Sequence, residues 1–109
     1  MMESKMIKVV EYSKFPYRRT APAGDFSGEF FRDEILIPAM EQNSKVIVDL
    51  NGVLSLGSSF LEEVFGGIVR KGNYSFQVLT EKLEIKFNIQ SYVDQAWKYA
   101  KEAEKLNKK

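Results

Sequence analysis

Residues 45–72 read KVIVDLNGVLSLGSSFLEEVFGGIVRKG, and two patterns meet within them. Lys45 to Leu50 is a short, continuous apolar run, bounded by Gln42, Asn43 and Ser44 before it and by Asn51 and Gly52 after it. Such a run predicts a central strand covered on both faces. Leu61, Val64, Phe65 and Ile68 then fall at i, i+3, i+4 and i+7, the spacing of one helix face. The helix is expected to start at Ser58 or Ser59, with Ser59 and Glu62 spaced as a capping box. Its end is equally legible: Arg70 and Lys71 complement the negative pole of the helix dipole, and Gly72 can take the left-handed cap conformation.

On the N-terminal side, Met6 to Tyr12 (MIKVVEY) is rich in β-branched residues and precedes Ser13, Lys14, Phe15 and Pro16. This predicts a strand, a turn and a second short strand through Tyr17 to Thr20, making a hairpin. Ala21 to Asp25 (APAGD) reads as a loop, after which Ser27 caps a helix from about Ser27 to Met40. Pro38 predicts a kinked or marginal last turn for that helix. On the C-terminal side, Leu83, Ile85, Phe87 and Ile89 alternate with Glu84, Lys86 and Asn88, which predicts a strand over Leu83 to Asn88. Phe76 to Lys82 reads either as a further strand or as a short helix capped by Ser75. Ser91, with Asp94 three residues on, is expected to cap a final helix whose apolar stripe is Val93, Ala96, Trp97 and Ala100. No repeat, low-complexity segment or linker divides the chain. The expectation is one α/β domain over residues 1–109, frayed at 1–5 and 106–109, with a mixed sheet of about four strands packed by helices.

The 109 residues carry 16 Lys and Arg against 15 Asp and Glu, a formal net charge of +1 that provides no field for steering onto nucleic acid. Hydrophobic residues at 44% and aromatic residues at 13% are the composition of a folded chain. Cysteine and histidine are both absent, which removes disulfides, thiolate nucleophiles, Cys/His zinc sites and His-based triads. No apolar run approaches the roughly 18 residues of a membrane span. The expectation is a cytoplasmic protein without cofactor or metal, binding neither nucleic acid nor membrane.

The element order, with a buried strand running into the turn of Gly57, Ser58 and Ser59, resembles a STAS domain, the fold of bacterial anti-sigma factor antagonists. Phe26 to Pro38 (FSGEFFRDEILIP) and Val46 to Gly67 (VIVDLNGVLSLGSSFLEEVFGG) are similar to the STAS-like family of unknown function, with its Ser-Gly-Glu and Gly-Ser-Ser-Phe-Leu motifs. The resemblance favours the helical reading of Phe76 to Lys82. In the antagonists the corresponding turn reads Asp-Ser-Ser-Gly, and its first serine accepts phosphate from a partner that is both serine kinase and anti-sigma factor. The matching residue is Ser58, although Gly57 replaces the aspartate and Phe60 the glycine. The resemblance thus implies a non-enzymatic regulatory protein-interaction module of the partner-switching kind. Serine phosphorylation is its candidate switch, and an ATPase of the histidine-kinase type its candidate partner.

Each candidate residue also has a structural reading. Ser58 is the phosphoacceptor candidate, and Gly57 and Ser59 are candidates for binding a partner or, with the Ser58 hydroxyl, an anion; the structural reading is that one or both serines simply cap the helix. Gly66 and Gly67 serve close helix packing or the approach of a partner. Glu62 belongs to the capping box, whereas Glu63 is expected to be free for a partner. Arg18, Arg19, Ser27, Glu29 and Arg32 flank the loop before the first long helix and either converge on a phosphate or form solvated surface. Asp49 is expected to tie down the turn after its strand, and Tyr92, Trp97 and Tyr99 to form core and rim. The alternative function is a small nucleotide or phosphoanion binding domain that uses the N-terminus of the helix at Ser58.

Overall fold

Lys45–Asp49 forms strand β2, the middle of a three-stranded sheet whose neighbours are β1 (Ser4–Lys8) and β3 (Leu83–Lys86). The computed structural model describes residues 3–22 and 25–107, so Ala23 and Gly24 of the predicted loop, and residues 1–2 and 108–109 of the predicted frayed ends, lie outside it. Both strand pairings are parallel, which corrects the expected mixed sheet of about four strands. Within the described residues, β1 takes in Ser4 and Lys5, and the last helix takes in Leu106, so regular structure reaches into both ends expected to fray.

The register places Ile7 opposite Val48 and Val48 opposite Ile85, with Val46 opposite Leu83. All five side chains are buried, because successive side chains alternate across a strand and this face lies under the helices. The other face carries Met6, Ile47 and Glu84 in one row and Lys8, Asp49 and Lys86 in the next. Met6 is 43% exposed and Ile47 only half-buried, so the central strand is covered on one face, not on both. Its continuous apolar run misleads because a single residue, Ile47, fills the outward position between Val46 and Val48.

The expected hairpin does not form. After β1 the chain curls through a tight turn at Val9–Glu11 and leaves the sheet. Beyond it, the carbonyls of Lys14 and Pro16 accept the N–H groups of Leu54 (2.7 Å) and Gly57 (2.9 Å). Those of Arg18 and Arg19 accept the N–H groups of Gly28 (2.8 Å) and Glu29 (3.0 Å). Residues 14–19 therefore satisfy loop and helix-start donors, where a hairpin would have paired them with β1.

Four longer helices complete the fold among the described residues: α1 (residues 28–42), α2 (residues 58–70), α3 (Phe76–Lys82) and α4 (Gln90–Asn107). Ser27 caps α1 as predicted, its hydroxyl accepting from Phe30 N–H at 3.1 Å. Residues 76–82 are helical, with Ser75 capping α3 through Val78 N–H. β3 stops at Lys86, two residues short of the expected end, and α4 starts at Gln90, one residue before the expected cap Ser91. At the end of α2, Gly72 adopts φ +79°, while Asn73 N–H reaches Ile68 C=O and Gly72 N–H reaches Val69 C=O, the paired bonds of a Schellman cap. α2 packs against α1 on one side and α4 on the other. Its Leu61, Val64, Phe65 and Ile68 are all buried, each contributing about 1.5–3 kcal/mol of apolar burial.

Both α1 and α2 widen in their middles. In α1 the wide turn spans Phe31–Leu36 and ends one residue before Pro38, which has no N–H to offer the carbonyl four residues back. In α2 it spans Glu62–Gly66. A regular helix would send Gly67 N–H to the Glu63 carbonyl, but here it bonds those of Glu62 and Val64.

Candidate functional site

The three strands are parallel, so the described residues of the loops leaving their carboxyl ends, 9–22 with 25–27, 50–57 and 87–89, gather at one end of the sheet. Asp49 ties down the second loop as expected, its Oδ1 accepting Asn51 N–H at 2.9 Å. Asn51 Oδ1 in turn accepts Asn88 N–H from the third loop at 2.8 Å. Tyr12, Phe15, Tyr17, Leu54 and Ile89, five of the large apolar residues exposed among the described ones, all sit on these loops. Leu54 is 69% exposed and Tyr17 57%.

Within this end lies the start of α2. Gly57 is the cap residue, and Ser58 and Ser59 are exposed first-turn residues. No side chain caps the helix, so the predicted capping box is absent. Its physical reasons are visible: the helix begins one residue before Ser59, and Glu62 is taken by arginines. Gly57 lies so close to the preceding loop that a Cβ there would come within 2.8 Å of Tyr17 Cα. Leu61 N–H is the first to bond back, to Gly57 C=O, so the donors of Ser58 and Ser59 have no partner within the helix.

The arginines predicted near a phosphate meet carboxylates instead. Arg32, expected at the surface, is fully buried between α1 and α2. Its Nη1 donates to the Glu63 carboxylate and, at 3.1 Å, to the Glu63 carbonyl that the wide turn of α2 leaves open. Its other edge grips Asp33, Nε to Oδ1 at 2.8 Å and Nη2 to Oδ2 at 3.2 Å. Burial opposes the charge on Arg32, but Asp33 and Glu63 outweigh it and raise its pKa, so it stays a cation.

Glu63, expected free for a partner, is only 7% exposed. Besides Arg32 it binds Nη1 of Arg19 at 3.1 Å and lies 3.6 Å from Nη2 of Arg70. Glu62 pairs with both Arg19 and Arg70. Burial pushes the Glu62 carboxyl up, yet hydrogen bonds from Arg70 and Arg19 and their charges hold its pKa below the ordinary value. Arg19, Arg32 and Arg70 thus balance Asp33, Glu62 and Glu63 charge for charge.

Small residues make this cluster possible. A Cβ on Gly67 would stand 2.5 Å from Nη1 of Arg32, and one on Gly28 would stand 2.9 Å from Cβ of Glu63. A Cβ on Gly66 would meet Glu62 Oε2 at 2.8 Å and the Tyr99 carbonyl of α4 at 3.4 Å. Gly66 and Gly67 therefore serve close packing.

The other predicted residues do not converge with these. Ser27 is buried and occupied as a cap, and Glu29 is half-buried beside a cavity of about 390 Å³ that also touches Asp25, Asp33 and Glu34. Arg18 is exposed and lies over the Tyr17 ring at 5.6 Å. Sequence reasoning missed the role of Arg70, read as a dipole partner, and the joint role of Arg19 and Glu62. The available signal was Glu62-Glu63 beside two glycines on a helix with no other acid.

What the fold defines is a small parallel α/β domain whose loop end exposes large apolar side chains and whose Arg32–Glu63 pair is buried between α1 and α2. A family model described as a STAS-like domain of unknown function (DUF4325) matches residues 27–94, and the chain belongs to that family. The match runs from the α1 cap to the first turns of α4. No curated protein and no solved structure matches the chain. Among the described residues, no helix is long and apolar enough to cross a membrane.

Proposed function

We propose that this domain is a non-enzymatic regulatory module that docks a protein partner on the loop end of its sheet, around the start of α2. The observation that carries this reading is that Tyr12, Phe15, Tyr17, Leu54 and Ile89, all exposed, lie on the loops at the end of the sheet where the exposed Ser58 opens α2. Exposed aromatic side chains collected on one surface are common anchors of a protein interface. Ser58 is the phosphoacceptor candidate, since phosphate would bring about −1.5 to −2 of charge to a helix N-terminus, where the dipole tolerates it. Membership of a STAS-like family is consistent with such a module, and the partner proposed from the resemblance is an ATPase of the histidine-kinase type.

The phosphoanion reading has less support. Of the arginines near the helix starts, only Arg18 lacks a carboxylate partner within ion-pair distance among the described residues.

The test is the measured affinity of the purified domain for the histidine-kinase-type ATPase of its own host, with Leu54→Asp, Ser58→Ala and Ser58→Asp. Leu54→Asp is expected to weaken binding at least about tenfold, as loss of an interface anchor does. Ser58→Asp is expected to shift affinity, with Ser58→Ala close to the unmodified protein. Equal affinity for all four proteins would remove this surface from the function.

A further inference from the structure

Residues 13–19 cross the starts of both α1 and α2 without burying much apolar surface. Phe15 is 53% exposed and Tyr17 57%, and Pro16 is the one buried residue of the stretch. What holds it is polar: the four backbone carbonyls of Lys14, Pro16, Arg18 and Arg19, and the Arg19 side chain on Glu62 and Glu63. Each of those two carboxylates also has a cationic partner outside the strap, Glu63 in buried Arg32 and Glu62 in Arg70. Arg19 itself is 44% exposed, the outermost member of the cluster. Just upstream, Tyr12 is anchored, stacked on Phe26 at 6.0 Å and edge-on to Phe31 at 6.4 Å.

We infer that residues 13–19 form an ionically latched strap, closed by Arg19 on the Glu62–Glu63 pair, whose release rearranges the surface around Ser58. This rests on the reading above, because the strap carries Phe15 and Tyr17 of the proposed docking surface, and it names how that surface is regulated. Opening frees the N–H groups of Gly28, Glu29, Leu54 and Gly57 together, since each is bonded to a strap carbonyl. It leaves Arg32, Glu63 and Asp33 paired within the α1–α2 interface, so the core remains folded. A segment held by exposed polar contacts and few apolar ones belongs to the low-stability end of a structure.

Amide hydrogen exchange on the intact protein tests the latch without any partner. Arg19→Met is expected to speed exchange at Gly28, Glu29, Leu54 and Gly57 by about tenfold or more, the loss of charge-assisted bonds, while Val46 and Val48 stay unchanged. Arg19→Lys should restore part of the protection, and raising NaCl from about 0.05 to about 1 M should speed exchange of the unmodified strap contacts several-fold, because screening weakens a half-exposed pair. Unchanged exchange at those four amides, or equal acceleration throughout the sheet, would overturn the latch. Partner affinity is measured separately: an altered affinity of Arg19→Met supports regulation of the docking surface. An unaltered one, with the four amides still accelerated, leaves the latch standing and rejects its link to docking.

Discussion

Gly67 shows how one missing methyl sets the position of a charge. Because a Cβ would sit 2.5 Å from the Arg32 guanidinium, Gly67→Ala must displace either that cation or α1. Intrinsic helix propensity alone would make the same change stabilising by about 1 kcal/mol. Packing wins here, and denaturant melts are expected to show a loss of about 1–3 kcal/mol. Glu62 gives the second prediction at this scale. Its folded pKa lies below the unfolded value of about 4.3, so its contribution is present above that pH and is lost as pH falls through the folded pKa. Glu62→Gln should therefore flatten the acid limb of the stability-versus-pH profile below about pH 4.3, read as the denaturant midpoint at successive pH values. An unchanged acid limb would place the titrating group elsewhere.

At the scale of elements, α1 and α2 are joined by an internal ion pair that costs desolvation and is held by geometry. Removing one partner leaves the other charged and buried, so Arg32→Met alone is expected to cost about 3–5 kcal/mol in equilibrium unfolding. The double change Arg32→Met with Glu63→Leu replaces both with apolar groups and should recover much of that loss. A double variant as unstable as the sum of the singles would mean that the wide turns, not the pair, set the helix contact. This interface was only partly legible in the sequence. The apolar stripe of α2 and the Ser27 cap are local patterns, and both were readable. Arg32 was not, because nothing in FFRDE distinguishes a buried arginine from a solvated one until Gly67 and Glu63 arrive from about 30 residues away. The N-terminal hairpin failed for a related reason: β-branched residues at Val9 and Val10 satisfy strand propensity, yet the donors at residues 28, 29, 54 and 57 compete for the backbone that follows. Ser58 was located correctly on an exposed helix start, but Ser59 lost its expected cap role to a glycine pressed against Tyr17.

For the whole molecule, the parallel arrangement divides side chains by origin: the loops carry the exposed aromatics, and the helices carry the buried Arg32–Glu63 pair. It also leaves one sheet face bare, which separates positions of equal chemistry. Ile85, on the helix side, is 7% exposed, whereas Ile47, in the middle strand, is half-buried on the outer face. Ile85→Ala is expected to cost about 2–4 kcal/mol and Ile47→Ala less than half of that, both read from urea midpoints. Equal costs would show that something covers the outer face in solution.

The bare face has a further consequence, for how freely the sequence can drift. Positions 6, 47, 84 and 86 answer to solvent and to one another, whereas 7, 46, 48, 83 and 85 answer to the buried core. Mutational tolerance should therefore run along each strand with a period of two, and it should be widest on β1, where only Ile7 is buried. Substitutions can accumulate across a whole side of the sheet without disturbing the helix starts, so this side is free to acquire new surface chemistry while the loop end keeps its own.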